Sequence, residues 1–371
     1  MLGFMNQYLI ALSYLECLGP VSLNKILKLF DSAESELSSA KNVWHASFFN
    51  FKTKGVPIKL AYKIIEQRKK VDLLKIIKII ETEKIQTVSL ADKNYPRLLK
   101  EIYSPPPILY YRGNLDCFNQ SVNLAVVGSR KISLYCQNVL PKILAGALQQ
   151  NTVIISGLAL GVDALAHSTA CLNKNKTIGV MASGLLWQDF YPKANFKLAQ
   201  QILETDGLIV SEFPPLIKAL AFNFPRRNRI IAGLAQAVLI AEAAEKSGAL
   251  ITADYALDFN RDILALPQNI SSLNSVGTNK LIQAGAGLIA SSNDLLRALN
   301  LKVSLKKEMP NNLNLTTEEK IIYKLLNDIP VQIDKISVSS NLDAAKTGSI
   351  LIGLELKGII KNVGGQRYIK L

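Results

Sequence analysis

Short apolar runs alternate with segments of helix length from residue 122 onward. The runs lie in NLAVVG, TVIISG, TIGVMASG, GLIVSE, AVLIAEA, DILALP and GLIAS. Strands that are apolar on both faces and separated by helices are typical of a parallel sheet covered by helices on each side. The pattern therefore predicts an α/β domain over residues 86–300.

The residues on either side of this region follow other patterns. Residues 1–85 have apolar positions at helical spacing, which predicts a small helical domain with a loose likeness to helix-hairpin-helix or sterile-alpha turns. Three consecutive prolines then lead into the strand ILYY. Residues 41–84 hold 11 Lys and Arg against four Asp and Glu. A solvated helix face explains this excess better than a nucleic-acid site does.

The C-terminal region begins after a polar stretch, residues 301–315, which we interpret as a linker. Thr316 and Glu319 have the spacing of a capping box, which predicts a helix through about residue 327. Two more helices are expected near residues 331–338 and 343–357, followed by two short strands around Gly-Gly. Helices followed by a hairpin predict a winged-helix domain over residues 316–371.

Charge and composition restrict the possible chemistry. The formal net charge is +14, yet residues 115–300 carry 15 Lys and Arg against 12 Asp and Glu. A basic cluster in this region is therefore a local feature. Four scattered cysteines and two histidines provide no zinc framework, so we expect no metal, no cofactor and reduced thiols in a cytoplasmic protein. No signal peptide and no membrane-spanning stretch are expected.

Small residues and cations follow several of the predicted strands. Because the carboxyl ends of parallel strands lie at one edge of a sheet, these residues are expected to form one anion-binding cleft. The strongest signal is FPRRNR, where three arginines at a helix start repel each other unless an anion lies opposite. Exposed surface cations, or pairing of an arginine with Glu212 or Glu242, remain alternatives. Asp163 and His167, one helical turn apart, are interpreted as an intrahelical pair.

Several motifs together resemble the DNA-processing protein A family (DprA, also called Smf). They are, in chain order, GSR at 128–130, SGLALGVDALAH at 156–167, YPKAN at 191–195, SEFPP at 211–215, FPRRNRIIAGL at 224–234, SGALITADYA at 247–256 and GTNKLIQAGA at 277–286. The chain departs from the family pattern at Tyr135-Cys136 and Pro267-Gln268, which are turn or packing positions.

The resemblance implies an extended Rossmann-like domain without enzymatic activity that binds single-stranded DNA. It also implies protection of incoming strands, loading of the RecA recombinase in natural transformation, and a homodimer. Family DNA contacts correspond to Arg130 and Lys193. We extend the expected DNA-binding set to backbone surfaces, phosphate-binding cations and amides at the same edge: Gly128, Ser129, Ser156, Gly157, Arg226, Arg227, Arg229, Asn195 and Asn228. Phe222 and Phe224 are either base-stacking or core residues.

Two further expectations concern assembly and a rival function. Leu281, Ile282 and Leu288 lie in the part of the domain that family dimers use, although core packing explains them nearly as well. The rival function is a nucleotide phosphoribohydrolase of the LOG or lysine-decarboxylase-like group. Its catalytic glutamate would be replaced by Asp254 in SGALITAD.

Overall fold

The computed structural model describes residues 7–31, 36–119, 122–303, 315–327 and 329–370. Contacts within the chain divide it into two compact units, Met1–Val303 and Ser304–Leu371. The boundary falls in the predicted linker, of which residues 304–314 lie outside the described part of the chain.

The first unit begins with helices, as the apolar spacing predicts. Two of them start at side-chain caps: Ser47 accepts a hydrogen bond from the backbone of Asn50, and Asp72 accepts one from Lys75. Their apolar faces form one core with strand residues, including the fully buried Tyr110. A separate N-terminal domain therefore stays a prediction. The helices are α1 Gln7–Ser13, α2 Pro20–Leu29, α3 Glu36–His45, α4 Phe48–Thr53, α5 Ile58–Arg68 and α6 Leu73–Thr82.

A nine-stranded sheet forms the centre of the first unit. All seven parallel strands predicted from the apolar runs are present, and so is the strand ILYY. The first strand was not predicted. The strands are β1 Gln86–Ser89, β2 Ile108–Gly113, β3 Asn123–Gly128, β4 Val153–Ser156, β5 Thr177–Val180, β6 Leu208–Ser211, β7 Ala237–Glu242, β8 Asp262–Ala265 and β9 Gly287–Leu288.

The strand order is β1-β2-β6-β5-β4-β3-β7-β8-β9. From β6 to β9 all neighbours are parallel, whereas β1 and β2 add an antiparallel edge. Successive side chains of β3 enter two different cores: Leu124 and Val126 pack in one, and Ala125 and Val127 in the other. The sheet is thus buried on both faces, which explains its continuous apolar runs.

Helices cover both faces of the sheet and begin near the carboxyl ends of the strands. Ser133 caps the helix after β3, and Ser247 caps the helix after β7. The helices are α7 Arg97–Lys100, α8 Leu134–Gln149, α9 Val162–Leu172, α10 Phe196–Glu204, α11 Asn223–Leu234, α12 Gly248–Asp258, α13 Val276–Gln283 and α14 Ser292–Ala298.

The second unit has three helices and a three-stranded sheet. Thr316 and Glu319 form the predicted capping box. The predicted helices and terminal hairpin are present, and the strand order β10-β12-β11 adds one short strand that was not expected. This arrangement confirms the winged-helix prediction. The elements are α15 Thr317–Leu325, β10 Val331–Gln332, α16 Ile333–Ser340, α17 Ala344–Leu356, β11 Ile360–Asn362 and β12 Arg367–Lys370.

Two composition-based expectations can be compared with the coordinates. No helix in the described ranges is both long enough and apolar enough to cross a lipid bilayer. The cysteines Cys17, Cys117, Cys136 and Cys171 are all free thiols.

Candidate nucleic-acid interface

The candidate site lies at the carboxyl ends of the parallel strands. Loops that follow β3, β4 and β7 line a pocket of about 320 Å³, and the first turn of α11 completes its wall. We call this pocket the edge cleft; Arg130, Phe224, Asn228 and Thr252 lie on its sides. Strands β3 and β7 are neighbours, and the chain runs from β3 to β4 on one side but from β7 to β8 on the other, so the connections diverge at this point of the sheet. Open α/β sheets bind ligands in crevices of this kind.

Arg130 is the exposed cation of the edge cleft. Its guanidinium carbon lies 4.9 Å from the centre of the Phe224 ring, which is the geometry of a cation–π contact. The same ring meets Tyr191 edge to face, with centroids 6.0 Å apart. No carboxylate of the described residues pairs with Arg130. Its charge and one aromatic surface therefore lie together, open to a ligand.

Lys193 lies on the neighbouring loop. It opens the short 3-10 turn Lys193–Asn195 after β5, and its side chain is exposed. Tyr191, two residues earlier, is 51% exposed and shares a small depression with Arg130 and Phe224. The parallel sheet thus brings the GSR and YPK turns to the same edge, as strand direction requires.

Arg227 is buried beneath the edge cleft and is 4% exposed. It donates hydrogen bonds to the carbonyls of Gly157, at 2.6 Å, and Val180. A Cβ atom on Gly157 would overlap the guanidinium group, so this contact requires glycine. Burial lowers the pKa of Arg227 to about 10. Arg227 therefore joins the ends of β4 and β5 from below.

Arg229 is also buried and forms an ion pair with Glu212. It donates a second hydrogen bond to the carbonyl of Ser104, in the segment before the three prolines. Burial raises the pKa of Glu212, and the charge of Arg229 opposes that rise. This is the Glu212 pairing that the sequence left open. The geometry argues against phosphate contacts by Arg227 and Arg229, because both are buried and each guanidinium donates hydrogen bonds inside the protein.

Arg226 is the exposed arginine of the FPRRNR motif. Its guanidinium carbon lies 5.4 Å from the centre of the Phe213 ring. The motif therefore separates into two buried structural arginines and one surface cation.

Two of the smaller expected contacts are buried. Asn195 is buried and donates to the carbonyls of Leu158 and Ala159, each at 2.9 Å. Ser156 is fully buried and donates to Val126 at 2.6 Å. Their polar groups serve the fold, so direct DNA contacts by these two side chains are not supported by the geometry.

Other expected contacts do line the edge cleft. Gly128, Ser129 and Asn228 all border it. The hydroxyl of Ser129 is engaged with the backbone of Lys131, donating at 2.9 Å and accepting at 3.1 Å. The amide of Asn228 donates to Gly248 at 3.2 Å. These residues can offer backbone and side-chain surface to a ligand, but they add no charge to the edge cleft.

The start of α8 is not the open anion site that the sequence predicts. Glu242, fully buried, accepts hydrogen bonds from both the backbone and the hydroxyl of Ser133, the N-cap residue. The positive end of this helix is thus compensated by an internal carboxylate. This leaves the exposed side chains as the anion-binding groups of the edge.

The loop after β4 is held by internal polar contacts. The Asp163 carboxylate accepts hydrogen bonds from the backbone of Gly157 and Ala159, at 3.1 and 3.3 Å. Gly161 has φ +78°, and a Cβ atom there would meet the Ser129 carbonyl, so two loops touch at this glycine. The predicted Asp163–His167 pair is replaced by separate contacts, because His167 Nδ1 bonds instead to the Thr177 hydroxyl at 2.8 Å.

His167 makes stability depend on pH. Burial lowers its pKa from 6.5 to about 3. Between these values the unfolded chain takes up a proton that the folded protein excludes, so stability is complete above pH 6.5 and falls as the pH falls. We expect His167→Gln to flatten this dependence by up to about 1.4 kcal/mol per pH unit. Urea unfolding of both proteins over the acidic range measures the difference; parallel curves would contradict the assignment.

The remaining residues concern assembly and ligands. Leu281 packs partly against the core, Ile282 is half-buried, and Leu288 on β9 is 49% exposed. In the described part of the chain, no three His, Cys, Asp or Glu side chains are grouped as a metal site. Tyr191 was not selected from the sequence, although it directly precedes the proline and lysine that were.

Two family models match the chain. The model of DNA recombination-mediator protein A matches residues 86–300, and that of the DprA winged helix domain matches residues 306–366. The first covers the sheet and the edge cleft, and the second covers most of the C-terminal unit.

Individual relatives of the chain carry the same family names as these two models. Protein Smf of Synechocystis sp. is 34% identical over 400 residues, covering 98% of each chain. DNA processing protein DprA of Streptococcus pneumoniae is 44% identical over 216 residues, or 58% of this chain and 75% of that protein. The solved DprA structure from the same organism has a TM-score of 0.64 at 36% identity, covering 80% of this chain and 97% of that one.

A second solved structure concerns the single-stranded DNA binding mode of DNA processing protein A from Helicobacter pylori. It has a TM-score of 0.53 at 28% identity and covers 58% of this chain and 96% of that one. Since the family model covers more than half of the chain and a relative aligns along nearly its whole length, the chain belongs to the DNA recombination-mediator protein A family, the DprA/Smf proteins.

Proposed function

We propose that this protein binds single-stranded DNA at the edge cleft and mediates recombination. The observation that carries the proposal is the arrangement of Arg130, Lys193, Tyr191 and Phe224 on neighbouring loops. Cations that follow phosphates, beside rings on which bases can stack, are the features that recognise single strands with little sequence preference. The Helicobacter pylori protein, similar in fold, is described as binding single-stranded DNA.

The shape of the cleft favours a single strand over a duplex. The pocket holds about 320 Å³ and lies between loops. A flexible strand can turn its bases onto Phe224 and Tyr191, whereas bases in a duplex are already stacked and paired. Arg130 and Lys193 then neutralise phosphates of the same strand.

Strand preference tests this function directly. We expect an oligothymidylate to bind at least about tenfold more tightly than a blunt duplex of equal length, because only the single strand can stack on the exposed rings. Fluorescence anisotropy with a labelled single strand, competed by either unlabelled form, measures the ratio. Competition by the duplex at equal concentration would contradict the proposal.

We further propose the partners that the family resemblance implies. The bound strand would be protected and passed to the RecA recombinase in natural transformation, and the protein would act as a homodimer in the cytoplasm. In this scheme residues 1–85, 86–300 and 316–371 act as domains, with residues 301–315 as linker. Four free thiols are compatible with a reducing compartment.

The homodimer has its own test. Leu288 lies on the edge strand β9, whose outer side has no partner strand among the described residues. If two copies pair through this edge, Leu288 lies within their interface, and a charge placed there opposes association. We expect Leu288→Glu to halve the mass measured by light scattering without lowering the melting temperature. Leu172→Glu is a control, because Leu172 is exposed on α9. An unchanged mass would contradict the assignment of Leu288.

Our proposal excludes catalysis by this site. The rival phosphoribohydrolase would use Asp254, but this residue is exposed on α12 and is not among the described residues that line the edge cleft. Incubation with nucleoside monophosphates, followed by detection of ribose phosphate, should give no product above the background. Release of ribose phosphate that depends on Asp254 would favour the rival.

A further inference from the structure

The first unit has two more depressions besides the edge cleft. The proline pocket, about 710 Å³, is bordered by Pro106, Pro107, Phe222 and Arg226. The lysine groove, about 640 Å³, is lined by Lys25, Lys28, Lys100, Tyr103 and Pro105. All of these residues belong to the first compact unit.

Two chain segments each border two of the three depressions. The first turn of α11 contributes Phe224 to the edge cleft and Phe222 and Arg226 to the proline pocket. The three prolines contribute Pro106 to the proline pocket and Pro105 to the lysine groove. A path along these two segments, which we call the route, leads from the edge cleft past the proline pocket to the lysine groove.

Buried contacts hold these segments in place. Arg229 of α11 is paired with Glu212 and donates to the carbonyl of Ser104, just before the prolines. On the other side, Asn24 of α2 donates to the carbonyl of Pro105 at 2.8 Å. The route is thus formed by the folded protein before any ligand binds, which reduces the entropy cost of binding.

The chemistry of the edge cleft is repeated along the route. Phe222 is 62% exposed beside the exposed Arg226, and Tyr103 is 86% exposed beside the exposed Lys100. Lys25 and Lys28 lie one turn apart on α2, and neither they nor Lys100 forms an ion pair within the described ranges. Large exposed rings next to unpaired cations are unexplained by folding, because burial would have been more favourable for the rings.

Among the described residues, three carboxylates border the proline pocket and the lysine groove. Glu212 is paired with Arg229, and Asp31 accepts a hydrogen bond from the Ser39 hydroxyl at 3.2 Å. Glu16 is exposed at the rim of the proline pocket. Against them stand Arg226, Lys25, Lys28 and Lys100, so the route carries an excess of positive charge.

We propose that a single DNA strand, beyond the nucleotides held in the edge cleft, continues through the proline pocket into the lysine groove. This inference rests on the proposed function and adds a second contact area, on the N-terminal helices. Bases would stack on Phe222 and Tyr103, while Arg226 and the three lysines neutralise successive phosphates. The alternation of ring and cation suits an unpaired strand, since a duplex offers no free base face.

The test combines two oligonucleotide lengths with a charge-reversal variant. A short oligothymidylate of about six nucleotides fits the edge cleft, and one of about 20 can follow the whole route. We expect the triple variant Lys25→Glu/Lys28→Glu/Lys100→Glu to bind the long strand at least about tenfold more weakly. Its slope of log affinity against log salt should fall by about 2, because each phosphate contact contributes about 0.7. Affinity for the short strand should change by less than about twofold.

A matched control distinguishes an effect specific to the lysine groove from a general effect of net charge. Lys52→Glu/Lys59→Glu/Lys63→Glu makes the same charge change at exposed lysines of α4 and α5, none of which lines the three depressions. This variant should retain the affinity for both lengths. Tyr103→Ala should weaken only the long strand, by about tenfold, and Tyr103→Phe should restore it because the ring remains.

Each other outcome is decisive. Unchanged long-strand affinity in the lysine groove variant, or an equal loss in the control, overturns the route. The route is also overturned if the lysine groove variant loses affinity for a blunt duplex but keeps its affinity for single strands. If the unmodified protein binds the short strand but gains nothing from length, the route fails and the proposed function stands. If it binds neither strand, both fail. A second edge cleft in a dimer could add affinity for long strands, but that gain would not depend on Tyr103.

Discussion

Arg130→Ala/Lys193→Ala is expected to bind single-stranded DNA at least about 100-fold more weakly than the unmodified protein. Each side chain is exposed and has no carboxylate partner among the residues described, so its charge is available to a phosphate. A hydrogen bond to a charged group contributes about 1.5–3 kcal/mol, which corresponds to a factor of about 10 to 100. Removing two contacts should also lower the salt slope by about 1.4.

Titrations at several salt concentrations, with melting temperatures from the same preparations, measure this effect. The matched control is Lys142→Ala/Arg297→Ala, which removes two exposed cations from α8 and α14. Arg297 forms only a surface ion pair with Asp294, so its loss should change stability by less than about 1 kcal/mol. An unchanged slope in the folded Arg130/Lys193 variant would mean that the edge cleft does not hold DNA.

The second large effect concerns the buried ion pair between Arg229 and Glu212. Arg229→Met should lower the free energy of unfolding by about 3–5 kcal/mol, because it leaves the Glu212 carboxylate buried without its cation. In Arg229→Met/Glu212→Leu the isolated charge is also gone, and most of the stability should return. Urea unfolding of the single and double variants measures both changes. A double variant no more stable than the single one would contradict this account.

The loss in Arg229→Met should depend on pH. Burial already raises the pKa of Glu212 above its ordinary value of 4.5, and removing Arg229 raises it further. A raised carboxyl pKa means that the folded protein keeps a proton that the unfolded chain releases, so the penalty is present above the raised pKa and disappears as the pH falls through it. The variant should therefore lose less stability in mild acid than at neutral pH. Arg297→Met serves as the control, since Arg297 and its half-buried partner Asp294 form an ion pair at the surface, where solvent screens the loss of one charge.

The effect of Arg229→Met on DNA binding distinguishes structure from contact. Arg229 lies beneath the surface, so any loss of affinity should follow from local unfolding and should recover in the double variant. Arg130→Ala is expected to differ, because the Arg130 side chain is exposed and its removal should weaken binding without lowering the melting temperature. Comparing the melting temperature with the DNA affinity of each variant distinguishes a structural arginine such as Arg229 from a DNA-contacting arginine such as Arg130.

Most of the architecture could be predicted from local pattern. Seven apolar runs became the parallel strands because a sheet covered on both faces requires continuous apolar strands. The capping box at Thr316 and Glu319 located a helix start, since its hydrogen bonds are local. β1 was missed because its four residues, QTVS, alternate too briefly, and only pairing with β2 stabilises them.

The candidate site was only partly predictable. Arg130 and Lys193 follow apolar strands, and strand direction alone places such residues at one edge. The arginines of FPRRNR could not be separated in this way. Which of them is buried depends on how α11 packs against β4, β5 and the proline segment, and those partners lie 47 to 125 residues away in the chain.

The sequence by itself determined most of the elements and their order, the family and the edge at which cations gather, because these depend on spacing and on short motifs. The tertiary structure alone decided which charges remain available. Burial and a carbonyl of a distant loop make Arg227 a structural group, Glu212 neutralises Arg229, and Glu242 compensates the start of α8. Neighbouring arginines of α11 thus differ in role, Arg226 at the surface and Arg227 buried, since a charge binds an external anion only where the folded chain provides no internal partner.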